Sequence, residues 1–146
     1  AWAQESVSAK AMSMLADKAV VSRLTYMDQD ILNLILLGKV KFIDAKYNTQ
    51  FSLNYELKKS FVCPINDETV LIHYVGPTKP WHYWAGYPSA QPFIKAKEAS
   101  PWKNEPLMRP VNSNYARYCA KHNFKQNKPI NGIMNYIYYF YLKIIK

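Results

Sequence analysis

His73, Gly76 and Lys79 are spaced His-x-x-Gly-x-x-Lys, and their three residue types suit one task. An imidazole can ligate a divalent cation, a glycine lets the backbone approach a bound group, and a lysine ammonium is a point charge suited to a phosphate oxygen. A metal-bound diphosphate would use all three. Pro77 and Pro80 restrict the intervening backbone, which lowers the entropy lost when the turn orders around a ligand. The competing reading is a surface turn with a solvated histidine and lysine, because short motifs of this kind recur by chance. A second polar cluster, Asp28-Gln29-Asp30, opens an apolar run from Ile31 to Leu37 that stops at Gly38. Asp28 can cap a helix there and Gly38 can take the left-handed conformation that ends it. Two acids and a glutamine at a helix start are equally a polar cluster for sugar hydroxyls, and both readings stay open.

The elements that must carry these residues follow from periodicity. Val70-Leu71-Ile72 predicts a strand over 69–75 that delivers His73 to its turn. Upstream, Val7, Ala11, Met14 and Leu15 fall at helical spacing and predict an amphipathic helix over 4–18, followed by a short link over 20–24. The helix that starts at Asp28 is apolar on nearly every side and is expected to be deeply buried. Residues 39–43 read as a short strand, 44–54 as an ordered loop built from Tyr47, Asn48, Thr49, Gln50 and Phe51, and 58–67 as a surface connection. Between Trp81 and Trp102 aromatics and prolines cluster, and such rings either stack on bases and sugar faces or fill a core. Helices are expected over 90–99 and 111–123, the second capped by Asn112 or Ser113. No internal repeat or low-complexity segment is present.

The last segment, 129–146, places Ile133, Ile137, Phe140, Tyr141, Ile144 and Ile145 on one stripe, with Lys143 and Lys146 nearby. It reads either as an interfacial helix with aromatic anchors and a basic collar or as a terminal helix whose stripe faces the core. Phe140, Tyr141, Lys143 and Lys146 are the membrane-surface candidates.

Nineteen Lys and Arg against ten Asp and Glu give the 146-residue chain a charge of +9, which suits anionic partners: nucleic acid, phosphorylated substrates or an anionic membrane face. Cys63 and Cys119 fit neither a disulfide framework nor a zinc site, so a reduced, cytosolic chain is expected. No stretch reaches the roughly 18 continuous apolar residues of a membrane span, so any membrane contact is expected at the surface. The first residue is Ala1, which predicts that the natural start lies elsewhere and that the chain is a fragment.

Three motifs in order carry a resemblance. Asp28-Gln29-Asp30-Ile31-Leu32-Asn33, then Phe42-Ile43-Asp44 with Tyr47-Asn48, then His73 through Trp81 occur in the order and spacing of glycosyltransferase family 8. More narrowly, the chain resembles the C-terminal half of the bacterial lipopolysaccharide core glucosyl- and galactosyltransferases, including Ser100-Pro101-Trp102-Lys103 and the aromatic basic tail. The resemblance implies an α/β fold, the C-terminal part of a nucleotide-diphospho-sugar transferase of GT-A type. In this chain that part should be mostly helical, with a few short strands and a C-terminal helical extension. Residues 1–84 would belong to the catalytic domain and 85–146 to the family's C-terminal helical region.

The activity implied is retaining transfer of glucose or galactose from a uridine diphosphate (UDP) sugar to the lipopolysaccharide core, with Mn2+ or Mg2+ as cofactor. By the same resemblance His73 ligates the metal, Gly76 and Lys79 contact the donor diphosphate, and Asp28 and Gln29 lie at the donor sugar. An amide is a weak nucleophile, so Gln29 is expected to stabilise rather than attack, and Asp30 to be structural. Partners implied are UDP-glucose or UDP-galactose, a lipopolysaccharide core acceptor and the anionic inner-membrane surface, with no nucleic acid. The location implied is cytoplasmic and peripheral on the inner membrane. The family's Asp-x-Asp metal motif is absent, since Asp28-Gln29-Asp30 matches the sugar-side motif. Because a catalytic ion needs several ligands, the chain alone is expected to transfer little or no sugar. Two other classes remain as alternatives: a membrane-surface or partner-binding remnant, and a basic nucleic-acid module whose affinity would fall steeply with salt.

Overall fold

The computed structural model describes residues 2–145 and contains two compact units, residues 1–43 and 44–146. In the first, α1 (Val7–Ala16) and α2 (Lys18–Val21) replace the single helix expected over 4–18. Asp17 takes extended backbone there, and its carboxylate accepts the Ala19 amide at 2.8 Å, ending one helix and capping the next. Helix α3 (Met27–Ile35) is followed by Gly38 at φ 73, the left-handed conformation expected of it.

Three expectations for this unit are corrected. Asp28 does not cap α3. The Asp30 carboxylate accepts the amides of Thr25 and Tyr26, both at 2.8 Å. The reason is register: with Met27 as the first helical residue, Asp30 lies one turn beyond Tyr26 on the same face, so its side chain points back at the orphan amides. Nor is α3 deeply buried, since only Ile31 is (2 % exposed), while Leu34 is 55 % exposed and Leu37, just beyond the helix, 81 %. Helix α1 packs on α3, with Val7 and Ile31 buried, and among the described residues the unit has no further layer to cover the remaining apolar faces. Residues 39–43 form no strand. Without a neighbouring ladder their backbone groups have no reason to extend in register, and Val40, Phe42 and Ile43 are exposed.

In the second unit, the expected loop over 44–54 is largely regular. Asp44 accepts the Lys46 amide at 2.9 Å and opens a 3₁₀ turn (Ala45–Asn48), which runs into β1 (Thr49–Phe51) and a second 3₁₀ turn (Leu53–Leu57). The expected strand over 69–75 shortens to β2 (Ile72–Tyr74), parallel to β1 in the register Thr49–Ile72, Gln50–His73, Phe51–Tyr74. A 3₁₀ turn (Pro88–Ala90) leads into α4 (Gln91–Glu98). Helix α5 (Ser113–Lys125) starts on Asn112, whose side chain accepts the Tyr115 amide at 2.8 Å. Asn127, at φ 58, turns the chain into α6 (Pro129–Ile144), which packs along α5.

Alternation along β1 and β2 builds the core. Phe51 and Tyr74 face inward, and Phe51 joins Leu53, Ala85, Tyr87 and Ala90 in the buried cluster. The residues that precede them, Gln50 and His73, pair with each other in the register and therefore point to the opposite, exposed face. The stripe on α6 does not face this core: Ile133, Ile137, Phe140, Tyr141, Ile144 and Ile145 are all more than half exposed, the least exposed being Ile133 at 53 %. The face that packs instead carries Gly132 and Tyr136, the latter with its ring 5.9 Å from Phe124 of α5. Among the described residues no helix is long and apolar enough to cross a membrane. Cys63 is exposed and Cys119 buried, both as free thiols.

Candidate functional site

β2 presents His73 on the outer face of the two-stranded sheet, and the 3₁₀ turn before β1 brings Asn48 beside it. Asn48 Oδ1 lies 3.1 Å from His73 Nδ1. With this oxygen accepting, Nδ1 is the protonated nitrogen and Nε2 keeps its lone pair for a cation, the arrangement in which a second-sphere amide orients a metal-binding histidine. His73 thus fits the role of one metal ligand. Among the described residues no group of three or more His, Cys, Asp or Glu could complete such a site. A shallow cleft of about 320 Å³ borders Asn48 and is lined by Asp44, Lys46, Gln50 and Glu68 among others, and neither His73 nor Lys79 opens into it.

The turn after β2 is built to one shape. Gly76 has φ +81, and a Cβ there would lie 2.8 Å from Ser52 Oγ. Both the conformation and the space call for glycine. Lys79 Nζ donates to the Tyr74 carbonyl at 2.5 Å, folding the side chain back along the end of β2 and leaving its other two N–H donors for a ligand. Its amide donates to His82 Nδ1 at 3.1 Å, and the His82 amide donates back to the Lys79 carbonyl at 3.0 Å. His82 is 1 % exposed and stacks on Trp84 with ring centroids 4.2 Å apart. Burial first, and the Lys79 charge second, push the His82 imidazole down to about 4, so it serves the Lys79 amide as a neutral acceptor.

Behind the turn lies a second imidazole, His122 of α5, fully buried. Thr78 Oγ1 and Asn54 Oδ1 each lie 3.1 Å from its Nε2, and Tyr87 OH lies 2.7 Å from its Nδ1. Burial is again the largest cause of a value pushed down to about 4, ahead of the repulsion that a protonated His82 would add and of the Lys121 charge.

Of the residues expected at the site, the structure brings His73, Gly76 and Lys79 together on one strand and turn. Asp28 and Gln29 are exposed in the first turn of α3, in the other unit. Phe140, Tyr141 and Lys143 are exposed on α6, and Lys146 lies outside the described residues. Sequence reasoning missed Ser52, Thr78, His82, Tyr87 and His122 as supports of the turn. Two supports had a signal with no role attached to it: Asn48, by its place in the Tyr47-Asn48 pair of the second motif, and Thr78, by its place inside the third.

The profile of glycosyl transferase family 8 matches residues 1–85, and that of the glycosyl transferase family 8 C-terminal region matches residues 87–143. The chain belongs to glycosyl transferase family 8. Within the family, it is 53 % identical over 144 residues to the lipopolysaccharide glucosyltransferase WaaO of Escherichia coli K12, an alignment covering 98 % of this chain and 42 % of the relative. It is 52 % identical over 145 residues to the lipopolysaccharide 1,3-galactosyltransferase of Salmonella typhimurium (99 % of this chain, 43 % of the relative). A lipopolysaccharide 1,2-glucosyltransferase of Escherichia coli is 36 % identical over 146 residues, covering 97 % of this chain and 43 % of the relative. The family 8 chain thus spans less than half the length of these relatives. No solved structure gives a significant match. Its mixture of helices and short strands fits the C-terminal part of an α/β glycosyltransferase.

Proposed function

We propose that this chain forms one wall of a retaining hexosyltransferase of GT-A type that moves glucose or galactose from a UDP-sugar to the lipopolysaccharide core. The observation that carries the reading is the succession of features along β2 and its turn: an outward His73 oriented by Asn48, a turn that only Gly76 fits, and a Lys79 folded back beside it. The names of the relatives support the hexose and the acceptor. Asn48 holds His73 in the tautomer whose Nε2 can meet a divalent cation. Gly76 lets the backbone approach the diphosphate, and Lys79 offers its ammonium to the departing phosphate oxygens. When bound, Mn2+ or Mg2+ would neutralise charge on that leaving group. Asp28 and Gln29 are assigned to the donor sugar as polar stabilisers.

Sugar transfer tests this directly. The purified chain, given Mn2+, radiolabelled UDP-glucose or UDP-galactose and a lipopolysaccharide core acceptor, is expected to transfer no hexose. The same chain joined behind the N-terminal part of the Escherichia coli glucosyltransferase is expected to be active. His73→Ala in that chimera should cut activity by about a hundredfold. Transfer by the chain alone would refute its dependence on further ligands, and an active chimera indifferent to His73→Ala would refute the metal role.

The exposed stripe on α6 favours a second reading for the same chain: a peripheral seat on an anionic, cytoplasmic membrane face. Ile137 is 59 %, Phe140 58 % and Ile144 83 % exposed, with Lys143 close by. Co-sedimentation with phosphatidylglycerol vesicles is expected for the chain and lost in Ile137→Asp/Phe140→Asp, whose fold the exposed positions leave intact. Undiminished sedimentation of that variant would sink the idea. Binding that persists on neutral vesicles would remove the electrostatic part of it.

A further inference from the structure

We propose that His122 is a positioning residue for the donor-diphosphate turn: from α5 it ties Thr78, inside the turn, to Tyr87 and Asn54 and so fixes the backbone that carries Gly76 and Lys79. The inference rests on the reading of that turn as the diphosphate site, and it gives the C-terminal helical region a part in donor binding.

The geometry is of a four-way junction. His122 and Thr78 are both 0 % exposed and Tyr87 is 7 % exposed. The partners come from separate stretches of chain, 44, 35 and 68 residues away from His122. Asn54 Oδ1 is an acceptor, so Nε2 carries the proton, shared with Thr78 Oγ1, and Nδ1 accepts from the Tyr87 hydroxyl. Only a neutral imidazole both gives and takes hydrogen bonds along opposite sides of one rigid ring. Phenylalanine can do neither, and an amide cannot span the same separation. The low pKa that burial imposes keeps the ring neutral at pH 7.

Thr78 lies between Pro77 and Lys79, two residues beyond Gly76. Its position is therefore passed to both motif residues through stiff peptide planes and a proline ring. At its far end the turn is held by the Lys79 amide on His82 Nδ1. Together the two imidazoles grip the turn from inside while its outer side stays open to solvent. A merely space-filling residue at 122 would leave the Thr78 hydroxyl buried without a partner, which native structures avoid.

The test uses the full chain with Thr78→Val, which keeps side-chain shape and removes only the hydroxyl, and with His122→Phe. Cys119→Ala serves as a control on the same helix. Amide hydrogen exchange of Lys79 and His82 reads the turn, and the ¹⁵N spectrum of the His122 ring reads the tautomer. Thr78→Val is expected to speed exchange at Lys79 and His82 by about tenfold while α5 keeps its protection. Cys119→Ala should not single out these two amides. Binding of UDP with Mn2+ by the chimera with the N-terminal part of the Escherichia coli glucosyltransferase, measured by titration calorimetry, should weaken by about tenfold when the chimera carries Thr78→Val.

Exchange in Thr78→Val that matches wild type, a His122 ring protonated on Nδ1 alone, or unchanged UDP affinity would each overturn the role of His122. If His122→Phe fails to fold, Thr78→Val still decides. Absence of UDP binding by the unsubstituted chimera would defeat the diphosphate reading separately, and the exchange rates at Lys79 and His82 would then decide by themselves whether His122 holds the turn.

Discussion

Gly76→Ala is expected to lower the stability of the 44–146 unit by about 1–3 kcal/mol, a large effect for one methyl group. Two causes contribute, and their sizes can be separated. At φ +81 the backbone is left-handed, where a Cβ crowds the following carbonyl and costs about 1–2 kcal/mol whatever surrounds it. The new Cβ would also lie 2.8 Å from Ser52 Oγ, but that oxygen ends a short side chain that can rotate away, and Ser52 Cβ sits at an ordinary 3.8 Å. The backbone cost should therefore win. Urea unfolding of Gly76→Ala, Ser52→Ala and the double variant checks this: the double variant should recover less than half of the loss. Full recovery would show that contact with Ser52 dominates. A Gly76→Ala chain as stable as wild type would show that the turn is not held in the conformation described.

How much of this was legible in the sequence depends on the range of the forces concerned. Asn112 as the cap of α5, Gly38 as the left-handed residue after α3 and the helices over 90–99 and 111–123 are set within a turn or two of chain, and pattern reading finds them. β1 is set otherwise. Three residues show no periodicity, and Thr49–Phe51 becomes a strand only because Ile72–Tyr74 arrives to pair with it. The expected burial of α3 fails for a related reason: an apolar run such as Ile31 to Leu37 states a need for cover, and whether the cover exists depends on other segments. Asp28 and Asp30 are equally plausible caps by type, and only the start of the helix at Met27 gives the task to Asp30.

The site divides along the same line. His73, Gly76 and Lys79 stand within seven residues of each other and are recognisable from the chemistry of their spacing and from resemblance. The groups that hold them are not. His122 stands in the sequence as one histidine next to Lys121 on a helix, and its partners Thr78, Tyr87 and Asn54 are brought to it only by folding. Such a residue is invisible to motif reading because no single partner is local.

The two buried imidazoles also set the response to acid, with the second large expected effect. His82 and His122 are each held near 4, chiefly by burial, against an ordinary value of 6.5. For a histidine with a depressed value the neutral form is favoured in the folded chain. Its contribution is complete above about 6.5 and is lost as the pH falls from there toward about 4, where the unfolded chain binds a proton that the folded chain refuses. A displacement of that size is worth on the order of 3 kcal/mol for one imidazole, already a large part of the stability of a small domain, commonly about 5–15 kcal/mol. The second ring adds to it by less than the same amount, because each ring opposes protonation of the other. Protonated His82 would lose its role as acceptor for the Lys79 amide, and protonated His122 could no longer accept from Tyr87. The expected result is that the urea midpoint of the 44–146 unit falls steeply between pH 6.5 and pH 4 and is nearly flat between pH 7 and pH 8. His82→Gln, whose amide oxygen can still accept from the Lys79 amide, should lose about half as much over the acid range as wild type. A wild-type midpoint unchanged from pH 7 to pH 4 would mean that the two rings take up protons freely in the folded state, and the closed, buried junction behind the turn could not then exist.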